Sequence, residues 1–100
     1  MKLLIIAPTV YKLPPEGYAG TENLVSTCAQ ELHRRGHQVA VVAPEGSSLG
    51  EGIEIIPVGL REGEDVAFQR YRGRLGEFEI IWDNTFSSYA YMESAGHDPQ

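Results

Sequence analysis

The chain has 100 residues, of which 42% are hydrophobic and 22% charged, and its formal net charge is −6. This length and hydrophobic content suffice for one small globular domain, which we expect to span residues 1–100. The acidic balance argues against nucleic acid and against an anionic membrane surface as partners, because both need a basic face.

The first third of the chain predicts a strand followed by a helix. The apolar run Leu3–Ala7 is short, continuous and ended by Pro8, as in a strand that is buried on both faces. From Thr21, which we expect to cap the helix, apolar residues recur at helical spacing, and Gly36 suits the position after its end. The expected apolar stripe consists of Leu24, Val25, Cys28, Ala29 and Leu32.

The remainder predicts two strands, a helix, a strand and a final helix. These elements span Val39–Ala43, Ile53–Val58, Val66–Leu75, Glu79–Trp82 and Thr85–Ala95. Pro57 indicates the end of its strand or an edge position. The residues expected to face inward from the two helices are Val66, Phe68, Tyr71 and Leu75, then Phe86, Tyr89 and Met92. This order favours an α/β, Rossmann-like open parallel sheet with helices on both faces and strand order 3-2-1-4.

In such a sheet, ligands bind beyond the carboxyl ends of the strands where the strand order reverses. Three segments are expected to meet there, Pro8–Gly20, Pro44–Gly50 and Asp83–Phe86. The first is long for a strand-to-helix connection, contains Gly17 and Gly20, and opens onto a helix N-terminus. Unpaired first-turn N–H groups and the helix dipole attract anions. We therefore expect a phosphate-bearing ligand at this loop.

Each candidate residue also has a purely structural explanation. Gly17 and Gly20 could serve only the backbone conformations that the loop needs. Asp83 and Asn84 could cap the helix expected after them instead of lining a pocket. Lys12 could reach an anion, although loop lysines usually face water.

Dinucleotide binding is an alternative for the same loop, and it is the weaker one. It requires G-x-G-x-x-G directly after the first strand, whereas Gly17 and Gly20 follow well after it with two residues between them. Glu45 does lie beyond the second strand, where an acidic ligand of the ribose would sit.

The cysteine and histidine content predicts neither a disulfide nor a metal site. Cys28 is the only cysteine, which fits a reducing compartment. Its place on the apolar stripe indicates that it packs in the core. The apolar run at the start is too short for a signal sequence or a membrane span, so we expect a cytoplasmic protein.

Three pieces of the sequence follow one another at characteristic spacings. They are the M-K-strand-A-P start, the P-P-x-x-Y-x-G-T-E loop at Pro14–Glu22 and the L-x-R-R-G-H-x-V-x-V-x-A-P junction at Leu32–Pro44. Together they resemble the N-terminal domain of retaining GT-B glycosyltransferases, which include glycogen synthase-like and lipopolysaccharide-type sugar transferases. The segment Phe78–Thr85 also resembles the family's strand that ends D-hydrophobic-hydrophobic-H-x-H-S.

This resemblance implies a role in sugar transfer from a nucleotide-sugar donor with retention of configuration. The half that the chain resembles would hold the acceptor and offer loop amides to the donor diphosphate. The ligand-binding residues expected from the loop and its counterpart after the fourth strand are Gly17, Tyr18, Ala19, Gly20, Thr21, Asp83 and Asn84. Catalytic residues stay unassigned, and no cofactor besides the donor substrate and no metal is expected.

The chain departs from the family at three positions and in length. Ala19 stands where the family usually has the first of two glycines, and Trp82 and Asn84 stand at its two histidines. The nucleotide-binding domain with its paired glutamates has no counterpart in these residues. We therefore expect a truncated or split enzyme that is inactive alone and whose missing domain a partner chain supplies. The alternative is a non-catalytic binding or interaction module.

Truncation would also leave the last strand at an open edge. Ile80, Ile81 and Trp82 would then form an apolar edge that invites pairing with another chain, so we expect a homodimer or a swapped oligomer.

Overall fold

A computed structural model describes residues 1–17 and 19–90 of the chain. One parallel sheet contains the strands β1 (Lys2–Ile6), β2 (Gln38–Pro44), β3 (Glu54–Val58) and β4 (Ile80–Asp83). Their spatial order is β3-β2-β1-β4, which confirms the predicted order 3-2-1-4. The helices are α1 (Gly20–Arg34) and α2 (Glu64–Tyr71), and a 3₁₀ helix at Arg72–Glu77 continues α2.

After their first residues, Lys2 and Gln38, the two central strands are apolar because both of their faces are covered. Leu4 and Ile6 point to the face where α2 packs, and Ile5 points to the face where α1 packs. The same alternation divides β2, so consecutive residues enter opposite cores. A fully buried aliphatic side chain contributes about 1.5–3 kcal/mol, and this double burial makes β1 and β2 the core of the sheet.

Helix α1 begins two residues earlier than predicted. Its N-cap is Ala19, in an extended conformation and with no side-chain hydrogen bond, so the prediction that Thr21 caps the helix is wrong. Thr21 lies inside the first turn and is exposed. The end of the helix is as predicted, because Gly36 follows Arg35 with a φ of 97°, which glycine adopts without strain.

The buried face of α1 is rotated from the predicted stripe. Val25 and Ala29 are fully buried, but Leu24 is 52% exposed and Cys28 is only half-buried. Glu22 and Ser26 occupy the buried side instead, where the Ser26 hydroxyl donates to the Glu22 carbonyl oxygen. A polar pair on the inner face is not visible in a search for apolar periodicity.

Helix α2 is shorter than predicted, because the chain tightens into the 3₁₀ helix after Tyr71. Gly73 and Gly76 are poor α-helix formers, and they fall in this tighter part. Phe68, Tyr71 and Leu75 are buried as predicted. Val66, also predicted inward, is half exposed, and Ala67 takes its place in the core.

The segment after β4 does not begin a helix at Thr85 as predicted. Asp83 Oδ1 accepts hydrogen bonds from the Thr85 N–H and hydroxyl, and the Glu64 carboxylate accepts the N–H groups of Phe86 and Ser87. These bonds hold a turn, Phe86 is 87% exposed, and helix starts only at Tyr89. The rest of the predicted helix, including Met92, lies outside the described residues.

Strands β3 and β4 are the edges of the sheet among the described residues. Pro57 lies in β3, which is an edge strand and therefore tolerates a proline, as predicted. In β4, Ile80 is 50% exposed, whereas Trp82 packs partly against the core on the α1 side. The homodimer expected through this edge stays a prediction.

Candidate functional site

The loops after β1 and β2 are joined by hydrogen bonds at the carboxyl end of the sheet. The buried Ser47 hydroxyl accepts the Leu13 N–H at 2.9 Å and donates to the Pro44 carbonyl oxygen at 2.7 Å. The Ser48 N–H donates to the Leu13 carbonyl oxygen at 2.8 Å. Leu13 itself is fully buried, so the long loop is fastened at its middle. The predicted meeting of these two segments is confirmed.

A further segment, the loop 59–63 between β3 and α2, also reaches this end of the sheet. The Arg61 N–H donates to the Thr9 carbonyl oxygen at 2.5 Å, and the Thr9 hydroxyl donates to the Glu62 carbonyl oxygen at 2.7 Å. The Glu62 carboxylate accepts bonds from Arg70 and from the Gly59 N–H. Arg70 and then the Gly59 N–H lower the pKa of Glu62 to about 2.

These loops border an open cleft of about 620 Å³, which we name the carboxyl-end cleft. Its apolar lining includes Val10, Tyr11, Pro15 and Leu60. Its charged lining residues are Lys12, Glu16 and Arg61. An apolar wall with a few polar groups is the usual composition of a small-molecule site.

The N-terminus of α1 offers unpaired donors. Within residues 1–17 and 19–90, the N–H groups of Gly20, Thr21 and Glu22 have no hydrogen-bond acceptor, and no side chain caps them. Such groups attract anions. The side chain of Glu22 is in the same turn and only 6% exposed, so its own negative charge already interacts with the helix dipole.

Asp83 and Asn84 follow β4 as predicted but do not line the carboxyl-end cleft. The Asn84 N–H donates to the Ile6 carbonyl oxygen at 2.9 Å and so extends the pairing with β1. Asp83 Oδ2 and Asn84 Nδ2 are buried and lack a hydrogen-bond partner among the described residues. Both side chains therefore have unused hydrogen-bonding capacity beside the point where the strand order reverses.

The neighbourhood of Asp83 is negatively charged. Burial, and then the carboxylates of Asp83 and Glu64, raise the pKa of Tyr71. Glu64, Tyr71 and Thr85 line a space of only about 10 Å³, which is room for one water molecule at most. An anionic ligand is therefore disfavoured here.

Of the predicted ligand-binding residues, Gly17 alone lines the carboxyl-end cleft within the described part of the chain. The residues placed elsewhere are Ala19, Gly20, Thr21, Asp83 and Asn84. Tyr18 lies outside the described residues. Arg61 was not among the residues predicted from the sequence, although the loop after a third parallel strand starts at the same side of the sheet.

The opposite end of the sheet carries a second cleft, of about 380 Å³, which we name the amino-end cleft. Lys2, His33, His37, Glu54 and Phe78 line it. The neighbouring Arg74 bonds the carboxylates of Glu54 and Glu77, and Lys2 Nζ lies 3.6 Å from Glu77 Oε1. Its charges are therefore already paired within the protein.

Neither a metal site nor a membrane-spanning helix is found in the part of the chain that the structure describes. Across residues 1–17 and 19–90, no three side chains of histidine, cysteine, aspartate or glutamate are grouped closely enough to hold a metal ion. None of the helices in these ranges combines the length and apolarity that crossing a membrane requires.

Comparison of the sequence with models of protein families and with curated proteins found no match.

Proposed function

We propose that this chain is the acceptor-side domain of a GT-B glycosyltransferase, which transfers a sugar from a nucleotide-sugar donor to an acceptor. The observation that carries the proposal is the carboxyl-end cleft of about 620 Å³. It lies at the carboxyl end of the sheet, and Pro14–Gly17 of the loop with the P-P-x-x-Y-x-G-T-E pattern form part of its wall.

Two groups of residues would divide the substrates between them. The apolar surfaces of Tyr11, Pro15 and Leu60 give the cleft a wall against which an acceptor sugar packs. The N–H groups of Gly20 and Thr21, which have no acceptor among the described residues, would face a donor diphosphate at the positive end of α1, where both residues are exposed. Neither group requires a cofactor.

The chain alone should not catalyse transfer under this proposal. Asn84 stands where the family has a histidine that contacts the donor sugar in many members, and its Nδ2 atom is buried. The nucleotide-binding part of the enzyme would come from outside these 100 residues, for example from a partner chain. Sugar transfer by the purified chain would contradict this part of the proposal.

A non-catalytic binding module is the second candidate. It is favoured by Trp82 and Asn84, which stand at the family's two histidine positions and do not line the carboxyl-end cleft. Restoration of transfer by a chain that carries a nucleotide-binding domain would argue against this candidate.

An NMR titration of the isotope-labelled chain tests donor binding. UDP-glucose, GDP-mannose, ADP-glucose and pyrophosphate should each shift the amides of Gly20–Glu22, because the diphosphate approaches the first turn of α1. Absence of shifts at millimolar ligand would contradict a donor-facing role for this loop.

Two variants of one residue make the test specific. Gly20→Pro removes one unpaired N–H at the first helical position, where proline is tolerated and follows an extended Ala19. Gly20→Ala keeps that N–H and serves as the control. We expect the proline variant to bind the diphosphates about tenfold more weakly than the alanine variant, since a charge-assisted hydrogen bond is lost.

A further inference from the structure

Two cations line the carboxyl-end cleft without an ion-pair partner among the described residues. Lys12 and Arg61 both line the cleft, and no carboxylate within residues 1–17 and 19–90 lies within salt-bridge distance of either side chain. Glu16 is the third charged lining residue, so the lining carries a net charge of about +1 at neutral pH. The whole chain carries −6, so this positive balance is local.

Other arginines of the chain are engaged by partners. Arg34 and Arg35 bond Glu31, Arg70 bonds Glu62, and Arg74 bonds two glutamates. The sequence has 14 acidic residues for 8 lysines and arginines, so partners are plentiful. Arg61 and Lys12 stand apart from this pattern, because both line the cleft and neither has an ion-pair partner among the described residues.

The backbone around Arg61 is held in a fixed and costly conformation. Its φ is 61°, a value that non-glycine residues rarely adopt. The Arg61 N–H and the Glu62 carbonyl oxygen both bond Thr9, which holds this loop against the loop after β1, and the Glu62 carboxylate bonds Arg70 and the Gly59 N–H. Strained backbone of this kind tends to occur at ligand sites, because surrounding contacts must enforce it.

Lys12 is positioned by the loop after β2. Gly46 has a φ of 91°, and a Cβ atom added there would lie 3.2 Å from Lys12 Nζ. The lysine side chain therefore lies across the backbone of a glycine, at the wall of the cleft that also contains Ser48. Three loops thus bring two cations and one apolar wall to a single cavity.

We propose that the ligand of the carboxyl-end cleft is an anionic sugar, whose phosphate or carboxylate is bound by Lys12 and Arg61. This inference rests on the proposed function and makes it more specific, since it assigns a charged acceptor to the enzyme. A guanidinium matches the geometry of both anionic groups with two parallel hydrogen bonds, and the ammonium adds a point charge. The sugar ring packs on the apolar wall.

The test is an NMR titration of the full chain with three sugars that differ in charge. Glucose-6-phosphate and glucuronate should shift the amides of Lys12, Gly46, Ser48 and Arg61. Neutral glucose should bind about tenfold more weakly, because it lacks the charge-assisted hydrogen bonds. The affinity for glucose-6-phosphate should fall with added salt, since both cations are exposed and screened.

Four variants identify the residues responsible. Arg61→Gln and Lys12→Gln should each reduce the affinity for glucose-6-phosphate about tenfold, and Arg61→Lys should retain part of it. Arg35→Gln removes the same charge from an exposed position at the end of α1 and should leave the affinity for glucose-6-phosphate unchanged. Because neither cleft cation makes a side-chain bond to the described residues, the amide spectra of the variants should otherwise match the wild type.

Equal affinity for glucose and glucose-6-phosphate would overturn the inference. Equal losses in Arg61→Gln and Arg35→Gln would do so too, because only the net charge would then matter. Phosphate shifts confined to Gly20–Glu22 would place the anion at α1 instead. If the anionic sugars bind but nucleotide-sugars shift no amide, the anion site is supported and the proposal of a glycosyltransferase is contradicted.

Discussion

The two ends of the sheet use charged residues in opposite ways. At the amino-end cleft, Arg74 is bonded to Glu54 and Glu77, and the Lys2 ammonium lies near Glu77. At the carboxyl-end cleft, Lys12 and Arg61 have no such partner among the described residues. The contrast separates charges that are paired within the protein from charges that have no partner among the described residues.

The two ends of the sheet also differ in how closely a side chain packs against a glycine. Gly52 borders the amino-end cleft and Gly46 the carboxyl-end cleft, and their φ values are 92° and 91°. A Cβ atom at Gly52 would lie 2.7 Å from the ring of His33, whereas one at Gly46 would meet the flexible end of Lys12. One end is therefore rigidly packed, and the other has a side chain that can move.

The largest effect is expected from replacing Gly52 with alanine, and a much smaller one from the same change at Gly46. Gly52→Ala should lower the free energy of unfolding by about 3 kcal/mol, because backbone strain adds to overlap with an imidazole ring. Gly46→Ala should cost about 1 kcal/mol, since only the strain remains once Lys12 moves. Urea denaturation of both variants measures the difference.

Gly36→Ala is the control for strain alone, because its φ is 97° and an added Cβ would meet no atom within 4 Å. It should resemble Gly46→Ala in stability. Equal losses at Gly52 and Gly36 would show that the packing against His33 has no energetic weight.

A smaller loss of stability is expected from Ser47→Ala at the carboxyl end. This hydroxyl is buried and bonds both the Leu13 N–H and the Pro44 carbonyl oxygen. Its removal leaves a buried N–H without an acceptor, which costs about 1–3 kcal/mol. Hydrogen exchange at Leu13 should become faster, and the urea midpoint should fall.

Ser48→Ala is the matched control. Ser48 is exposed, and its hydroxyl makes no hydrogen bond within residues 1–17 and 19–90. The variant should unfold like the wild type. Similar effects of the two substitutions would mean that the Ser47 hydroxyl does not fasten the long loop.

The smallest expected effect is a change in how the stability depends on acidic pH. The pKa of Glu62 is lowered from 4.5 to about 2 by Arg70 and the Gly59 N–H, so the folded state holds this carboxylate ionised. Its contribution to stability is present above the unfolded pKa of 4.5 and is lost as the pH falls toward 2. Glu62→Gln should therefore lower the urea midpoint at neutral pH and reduce the further fall between neutral pH and about pH 3.

Glu51→Gln controls for loss of one negative charge, because Glu51 is exposed and makes no ion pair with the described residues. Its acid dependence should match that of the wild type. An unchanged acid dependence in Glu62→Gln would show that the loop 59–63 is not held through this carboxylate.

The architecture could be predicted because its signals are local. Continuous apolar runs mark the double burial of β1 and β2, and the helix between them ends at a glycine. These signals and the preference for right-handed crossovers leave few strand orders. The predicted order 3-2-1-4 is confirmed.

Errors of prediction arose where distant residues decide the conformation. The turn after Asp83 is held by Glu64, more than 20 residues earlier, so the apolar spacing from Thr85 indicated a helix that the described residues do not form there. A different error is local, since Leu24 follows the helical periodicity but lies on the exposed side of α1, where Glu22 and Ser26 occupy the inner face.

Prediction of the site was limited for the same reason. The glycine-bearing loop identified one wall of the cleft, through Gly17. The opposite wall depends on the bond between the Arg61 N–H and the Thr9 carbonyl oxygen, which joins residues 52 positions apart. No sequence pattern near Arg61 indicates that contact.

Pro57 makes β3 the less favourable edge of the sheet for pairing with a further strand. The Val58 carbonyl oxygen accepts the Glu45 N–H, so residue 58 faces β2 and residue 57 faces away from the sheet. Proline has no N–H to offer a new neighbour at that position. An added strand would lack one rung of its ladder beside β3, whereas β4 carries no proline. Any assembly through strand addition should therefore be one-sided and proceed from β4.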